Sequence, residues 1–419
     1  MRQIGENMEW SVDLAHVRDK NRINSKNKKG YRSVWMPGMC RQRLLGYAES
    51  LCDLSREFSD IITSEAGDRE SLLRAQNLYE NRRVVSDNLN VVARIMERVA
   101  EEISEYEPME ERRRRLIAYN LAEEGISVAD AYYIPDKKGR FTVGLSLYTE
   151  KKSSVSGQEV ADMLSVLLKR QLRLSVSGPS VVEREEKTFV FVEEPPYIVL
   201  TGFSRAVKDN ENVSGDNYSV TELEKGRVKL ILSDGTGSGE EACSGSERVL
   251  DLMEKMLETG YDADTAIHMV NTAFFAMGEE CNHPTLDLCE LDLYSGECEI
   301  RKVGAAASFL KRGEYVDQIG MESLPLGILC TENTDIEKVS LMSGDYLIMM
   351  TDGVLDALSG HDYEETMKRA ISALTELNPG EIAEKLLQTV LCLSGGQIRD
   401  DMTVLVAGVW RNNRVPVQS

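Results

Sequence analysis

Two strongly apolar segments, far apart in the chain, each end in the dipeptide Asp-Gly and restrict the fold more than any other feature. The first leads into Asp234-Gly235 and the second into Asp352-Gly353. Short apolar runs of this kind are typical of buried β-strands, and a glycine after the acid lets a neighbouring backbone or an ion come close. A third acidic element begins at Asp400 and opens another apolar run. Because Mg and Mn prefer carboxylate oxygen ligands, three strand-end aspartates suggest a convergent site for a hard metal ion.

Composition restricts the class of protein. The 419 residues are enough for two or three domains, and 49 basic against 70 acidic side chains give a net charge of -21. This charge argues against nonspecific nucleic-acid binding, which needs a basic surface, so no nucleic-acid partner is expected. The eight cysteines form no Cys-x-x-Cys pair and are typical of reduced thiols. Without an apolar run of membrane-helix length or a signal peptide, we expect a cytoplasmic protein, with membrane association only in a longer form.

The beginning of the chain differs from the rest because it is basic. Its first 43 residues carry ten Lys or Arg and four acidic residues, without apolar periodicity. We interpret residues 1–40 as a poorly ordered tail, the alternative being a segment that binds an anionic surface. In residues 41–105, apolar side chains recur at three- and four-residue spacing. This spacing predicts a helical regulatory segment whose long helices pack on a neighbour or form a homodimer.

The pattern becomes mixed from residue 106 onward. Residues 106–195 alternate predicted helices and strands, and a capping box at Ser156 and Glu159 begins a helix predicted to reach Leu172. This part contains no candidate catalytic group, so we interpret it as a small α/β regulatory module. Residues 196–411 contain strands, two helices, further strands and late helices, which suggests two sheets with helices outside them. With residues 412–419 as a tail, the predicted fold class is α+β.

Two other interpretations of the acidic and glycine-rich motifs fit the sequence less well. The segment from Gly235 to Gly239, before a predicted helix, is similar to a phosphate or dinucleotide loop, but lacks the full spacing of either motif. The segment around Asp352 is similar to haloacid-dehalogenase phosphatases, whose nucleophilic Asp is followed two residues later by a second Asp. Val354 stands at that second position, and a motif shifted to begin at Met350 would lack a nucleophile. The metal interpretation accommodates every acidic element.

Four motifs together resemble those of the metal-dependent (type 2C) serine/threonine phosphatases. They are Ser214-Gly215-Asp216, Asp234-Gly235, Thr351-Asp352-Gly353 and Asp400-Asp401-Met402-Thr403-Val404. Within that group, three longer stretches, at 214–218, 324–328 and 395–399, are similar to the stage II sporulation protein E family. The resemblance covers residues 197–410 well and extends more loosely upstream. The motifs are specific in combination, although each is weak alone.

The resemblance implies a phosphatase β-sandwich flanked by helices, preceded by a small α/β regulatory module and long N-terminal helices. It also implies two Mn²⁺ or Mg²⁺ ions at one end of the sheets. Asp234 matches the family's bridging carboxylate, and Gly235 would lend its carbonyl oxygen. Asp352 and Asp400 match ligands of one ion, and Asp216 matches the acidic position that serves the other. The catalytic residues would be Asp234, Asp352 and Asp400, with Asp234 expected in the same coordination shell as the other two.

Further roles follow from the same resemblance. Asp401 stands where many relatives have Asn, so it is expected to support the site without ligating metal. Arg205 could contact phosphate oxygens, with a surface salt bridge as the alternative. Two ions would hold the phosphoryl group and lower the pKa of a bridging water, so that no enzyme nucleophile is needed.

The implied function is dephosphorylation of an anti-sigma-factor antagonist at phosphoserine or phosphothreonine, which would release a sporulation sigma factor. The alternative is a catalytically weak scaffold that acts through its helices in division-site assembly, with a division-site protein as partner. Relatives carry a multi-spanning membrane region before the helical segment, and this chain lacks it. The chain is therefore expected to be a fragment or a soluble variant.

Overall fold

The chain divides into two compact units, residues 1–106 and residues 107–419. The computed structural model describes residues 28–60, 85–86, 88–100, 107–134, 140–150, 154–176, 178–223, 226–237, 239–277, 282–320, 323–328, 335–358 and 363–415. Across these segments, no helix combines the length and the apolar character needed to cross a bilayer.

The described part of the first unit is helical. Helix α1 is Lys28–Asp60 and helix α2 spans residues 88–100. The hydroxyl oxygens of Ser55 and Ser86 lie 2.7 Å apart in a buried contact that joins α1 to the short helical segment before α2. Helix α1 begins at Lys28, within the predicted tail, and continues through Pro37 and Gly38. Residues 1–27 and 61–84, which belong to the predicted tail and helical segment, lie outside the described residues.

The second unit begins with a small α/β module. Its elements are β1 (Glu107–Pro108), α3 (Glu111–Glu123), β2 (Ile126–Tyr133), β3 (Thr142–Thr149), β4 (Val155–Ser156), α4 (Gly157–Leu168), β5 (Leu172–Leu174), β6 (Val181–Val182) and β7 (Lys187–Glu193). Five strands pair antiparallel in the order β1-β2-β3-β7-β5, and β4 pairs with β6. Side chains from both helices complete a core around the buried rings of Phe189 and Phe191.

The capping box of this module forms, but its helix is shorter than predicted. Ser156 accepts a hydrogen bond from the backbone N–H of Gln158, and Glu159 bonds back to the backbone of Ser156. The helix ends at Leu168 because Lys169 adopts a left-handed conformation, with φ of 55°. Leu172, predicted to end the helix, instead begins strand β5.

The remainder of the second unit is a sandwich of two antiparallel five-stranded sheets. The first sheet has the order β15-β12-β11-β10-β9, formed by Ile336–Ser340, Glu297–Val303, Leu286–Asp292, Arg227–Ser233 and Asn217–Leu223 respectively. The second has the order β14-β13-β16-β17-β8, formed by Tyr315–Ile319, Ser308–Arg312, Asp345–Met350, Met402–Arg411 and Tyr197–Ala206. The helices are α5 (Gly239–Glu258), α6 (Ala263–Met277), α7 (Asp352–Asp356), α8 (Tyr363–Ser372) and α9 (Pro379–Leu393).

Apolar side chains fill both faces of these sheets. Along β10, Leu230 and Leu232 point into the core between the sheets, whereas Ile231 points outward against helices α5 and α6. This alternation follows from the two-residue period of a strand. Ile348 and Val404 of the second sheet likewise pack outward against α8 and α9. The predicted β-sandwich with flanking helices is confirmed.

Strand register brings the acidic motifs to one end of the sandwich. Ser233, the last residue of β10, pairs with Asn217, the first residue of β9. Met350, the last residue of β16, pairs with Val404 near the start of β17. Each acidic motif therefore lies immediately outside one of these paired strand ends. The shared location is set by pairing and not by proximity in sequence.

Candidate metal centre

Asp234 is fixed immediately after β10 by hydrogen bonds on both sides of its peptide unit. Its backbone N–H donates to the hydroxyl of Thr285 over 3.0 Å, and its carbonyl accepts from the N–H of Thr285 over 2.8 Å. The next N–H, of Gly235, donates to the carbonyl of Gly215 over 3.2 Å. These bonds hold the loop that carries Asp234 against the loop that carries Asp216.

Gly235 is required by close packing. A Cβ at this position would lie 2.0 Å from the carbonyl oxygen of Ala242, in the first turns of α5. No side chain fits there, and the backbone of the loop can therefore come close to the helix. The glycine that was expected to lend its carbonyl also sets the path of the chain between Asp234 and α5.

Asp216 is completely buried just before β9. Its Oδ2 accepts a hydrogen bond from the hydroxyl of Thr351 over 3.0 Å, whereas no described residue bonds to its Oδ1. Burial is the main reason that the pKa of Asp216 rises to about 6, while hydrogen bonds from Thr403 and Thr351 act in the opposite direction. A buried carboxylate with an unpaired oxygen is costly, so this position favours a cation.

Asp234 lies within hydrogen-bonding reach of both Asp216 and Asp352. Burial, followed by the charges of Asp216 and Asp352, raises the pKa of Asp234 to about 10. Three carboxylates cannot all ionise at such separations without a counter-charge. In the absence of a cation Asp234 therefore holds a proton, and a divalent ion would replace that proton.

Asp352 begins helix α7, and its neighbours are packed tightly against the start of β17. A Cβ on Gly353 would lie 2.1 Å from the carbonyl oxygen of Asp401 and 3.3 Å from Cβ of Asp400. The charges of Asp352 and Asp400 both contribute, after burial, to a raised pKa of Asp356. The second and third acidic motifs therefore share the same side of the sandwich end.

Asp400 and Asp401 have different surroundings. Asp401 is buried, and its two oxygens accept hydrogen bonds from the backbone N–H groups of Lys208 and Gly215, over 2.9 Å and 2.7 Å. Its carboxylate thus ties the β8–β9 connection to the start of β17. The side chain of Asp400 is half-exposed, and its Oδ1 lies 3.7 Å from the ammonium nitrogen of Lys208.

The acidic cluster has the chemistry of a divalent cation site, but its side chains are not arranged as a complete coordination shell. Among the described residues, no group of three or more His, Cys, Asp or Glu side chains is arranged to hold a metal ion. Asp234 is close to both Asp216 and Asp352, whereas Asp400 is turned toward Lys208. Hard oxygen donors, an orphaned buried oxygen and mutual repulsion suit Mg²⁺ or Mn²⁺. That Asp234, Asp352 and Asp400 share one coordination shell stays a prediction.

The structure places two basic residues near the cluster. Arg205 is partly buried, its Nε donates to the hydroxyl of Thr403 over 3.3 Å, and its guanidinium lies 6.0 Å from the ring centroid of Tyr218. Lys208 was not singled out from the sequence, yet its ammonium group lies beside Asp400. A lysine in a polar loop carries no motif, so only the register of β8 against β17 reveals this position.

Several supporting residues were also missed from sequence. Thr351 donates to Asp216, and its hydroxyl in turn accepts the backbone N–H of Thr403 over 2.9 Å. Thr285 fixes the peptide unit of Asp234. The only available signal was that Thr351 and Thr403 lie inside the quoted motifs. Their bonding partners are far away in sequence and could not be read from local pattern.

Comparisons with known proteins agree with this architecture. The family model of stage II sporulation protein E matches residues 224–410, and the model of the regulatory domain of that family matches residues 38–193. Stage II sporulation protein E of Bacillus subtilis (strain 168) is 30% identical over 375 residues, covering 88% of this chain and 45% of that protein. The protein of the same name from Priestia megaterium is 30% identical over 382 residues, covering 88% and 64%. This chain therefore spans less than two thirds of either relative.

One solved structure extends the comparison from sequence to fold. It contains the PP2C phosphatase domain and a fragment of the regulatory domain of the cell fate determinant SpoIIE from Bacillus subtilis. The TM-score is 0.57 at 28% identity, and the match covers 82% of this chain and 100% of the solved chain. With both family models placed on consecutive parts of the sequence, the chain belongs to the stage II sporulation protein E family.

Proposed function

We propose that this chain is a metal-dependent protein serine/threonine phosphatase. The observation that carries the proposal is the close approach of Asp234 to both Asp216 and Asp352. Burial and charge repulsion leave these carboxylates in need of a cation. The cluster lies at one end of a sandwich similar to a solved PP2C phosphatase domain. A phosphoric monoester is an anionic substrate, and divalent ions at such a cluster would neutralise it.

Each residue has a distinct task in the proposed reaction. Two Mn²⁺ or Mg²⁺ ions would be held by Asp216, Asp234, the carbonyl of Gly235, Asp352 and Asp400. When bound, the ions would supply a hydroxide nucleophile and polarise the phosphoryl oxygens. Thr351 orients Asp216 by its hydrogen bond, and Asp401 fixes the loop before β9. Asp234, Asp352 and Asp400 would be the catalytic residues in the sense that they hold the reacting centre.

The phosphate group would also meet a basic side chain. Arg205 was the candidate from sequence, and it remains one, although its guanidinium is engaged with Thr403 and Tyr218. Lys208 is the stronger candidate because its side chain is one third exposed and its ammonium nitrogen lies 3.7 Å from Asp400. A phosphate oxygen of the substrate at this position would compete with Asp400 for the ammonium group of Lys208.

The proposed substrate is a phosphorylated anti-sigma-factor antagonist, and its dephosphorylation would activate a sporulation sigma factor. Membership of the sporulation family supports this proposal. A homodimer through the N-terminal helices is proposed as well. Within the first unit, α1 and α2 expose large apolar side chains, which are Leu45, Tyr47, Leu54, Val92 and Val99. Exposed apolar side chains that form a contiguous patch mark interaction sites, so these residues are the candidates for the dimer contact.

A phosphatase assay on the whole chain tests the proposal. The purified protein is incubated with phosphoserine-containing antagonist and with Mn²⁺, Mg²⁺ or chelator, and released inorganic phosphate is measured. We expect hydrolysis only with a divalent ion. Metal-independent release, or no release with either ion on any phosphoserine protein, would contradict a metal-dependent phosphatase. No release would favour the alternative, a scaffold in division-site assembly.

A further inference from the structure

A buried ion pair lies directly behind the acidic cluster, inside the sandwich. Asp287 of β11 and Lys302 of β12 are directly opposite each other in the strand register, and both are almost completely buried. The ammonium nitrogen of Lys302 donates to Asp287 Oδ2 over 2.5 Å, to the carbonyl of Ala306 over 2.7 Å and to the hydroxyl of Ser308 over 2.8 Å. All three donors of the ammonium group are therefore used.

The two carboxylate oxygens of Asp287 differ in their hydrogen-bond partners. Oδ2 accepts from Lys302 and also from the hydroxyl of Ser308, over 3.0 Å. Oδ1 is buried, and no described residue donates to it. A purely structural ion pair would satisfy both oxygens, because an unpaired buried carboxylate oxygen is costly.

The unpaired oxygen belongs to a residue that lines a recess shared with the acidic cluster. Asp287, Asp234, Thr351 and Asp352 all line this recess, which has room for about one water molecule. In β10, Leu232 pairs with Asp287, so Asp234 follows two residues beyond this pairing. Asp287 of the ion pair and Asp234 of the proposed metal site therefore lie on adjacent, directly paired strands.

We propose that Asp287 is a positioning residue of the metal site, a proposal that rests on the function given above. Its Oδ1 accepts a hydrogen bond from a water ligand of a divalent cation held at Asp234 and Asp352. Lys302 neutralises the charge of Asp287, so this carboxylate orients water and does not itself compete for the ion. Hydrogen bonds to metal ligands from outside the coordination shell affect metal affinity by 10- to 100-fold in known sites.

The chain offers a matched control for this proposal. Glu290 lies three residues further along β11, and its carboxylate also pairs with buried cations, Lys229 over 2.8 Å and Arg301 over 3.0 Å. Glu290 does not line the recess. Loss of its charge weakens a comparable ion pair in the same strand but leaves the surroundings of Asp234 and Asp352 unchanged.

Calorimetric titration of the full chain with Mn²⁺ tests the proposal. In Asp287→Asn the side chain must turn its oxygen to Lys302, so an N–H donor replaces the acceptor that faces the recess. We expect the Mn²⁺ dissociation constant to rise about tenfold or more, whereas Glu290→Gln stays within about twofold of the wild type. Equal affinity in Asp287→Asn and the wild type would overturn the proposal. So would loss of one bound ion from the stoichiometry, because that would make Asp287 a direct ligand.

A second variant covers the case in which Asp287→Asn does not fold. Replacing both partners by apolar side chains, in Asp287→Leu/Lys302→Met, removes the acceptor without leaving a charge unpaired, and such replacements are commonly tolerated. This variant should bind Mn²⁺ at least tenfold more weakly, and unchanged affinity would contradict the proposal. If the wild type itself binds no Mn²⁺, the proposed metal site fails and the positioning role fails with it.

Discussion

Thr351 Oγ1 donates a hydrogen bond to Asp216 Oδ2 over 3.0 Å, joining the end of a strand in one sheet to the start of a strand in the other. The same hydroxyl accepts the backbone N–H of Thr403. One threonine therefore links a proposed ligand to two strand ends of the opposite sheet. The position of Asp216 depends on the packing of the two sheets against each other.

The substitution Thr351→Val should distinguish the effect of this hydrogen bond from the effect of side-chain packing. Valine has nearly the same shape but removes one hydrogen-bond donor from Asp216 Oδ2, which should cost about 1–3 kcal/mol of the free energy of unfolding. We expect Mn²⁺ affinity to fall about tenfold. Thr351→Ser retains the hydroxyl and should bind Mn²⁺ like the wild type. Equal affinity in the valine and serine variants would show that the hydroxyl has no role in positioning Asp216.

Asp352→Asn should lower phosphatase turnover by more than about 100-fold, the upper range for residues that only support a metal site. The fold should persist because Asp352 is the first residue of the short helix α7, whose N-cap is Thr351. Excess chelator should abolish turnover of the wild type. Asp356→Asn is the matched control, since Asp356 lies one helical turn further along α7 and is not a proposed ligand. Turnover of both variants is measured by phosphate release. Similar losses in the two would show that turnover depends on negative charge near α7 and not on metal ligation by Asp352.

Lys208→Ala should raise KM for a phosphoprotein, or lower kcat/KM, by about 10- to 100-fold, the range for loss of a hydrogen bond to a charged group. Arg205→Ala should have a smaller effect on kcat/KM, because the guanidinium is already bonded to Thr403 and lies over Tyr218. Lys208→Arg should restore most of the activity. If Arg205→Ala lowered kcat/KM more than Lys208→Ala in steady-state kinetics, Arg205 and not Lys208 would be the main contact of the substrate phosphate.

Gly235→Ala should abolish Mn²⁺ binding, because a Cβ there would lie 2.0 Å from the carbonyl oxygen of Ala242 and the loop after Asp234 would have to move. Gly245→Ala, further along α5, is the control. Its nearest neighbour would be the carbonyl of Asn282 at 3.6 Å, and alanine in a helix is favoured by about 0.5–1 kcal/mol. Calorimetry and thermal unfolding of both variants should show lost binding in the first and unchanged binding with a higher Tm in the second. Retained Mn²⁺ affinity in Gly235→Ala would mean that the loop path does not define the site.

Local sequence determined the parts of this fold that depend on neighbouring residues. The apolar run before Asp234 predicted a buried strand because hydrophobic periodicity acts over a few residues. Ser156 and Glu159 predicted a helix start for the same reason, since a cap bonds within one turn. The helix end was less predictable: the left-handed conformation of Lys169, a residue with no strong preference for it, ended α4 before Leu172.

The sequence alone also singled out Asp234, Asp352 and Asp400, because acidic motifs at strand ends are visible without knowing how the strands pair. Asp216 was identified through the family resemblance of its motif. Only the tertiary structure decided which oxygens meet. It placed Asp216 against Asp234, turned Asp400 toward Lys208, and set the Asp287–Lys302 pair behind them. The physical reason is that these contacts arise from strand register and from the packing of two sheets. A one-residue change of register would turn the same side chains to the opposite face.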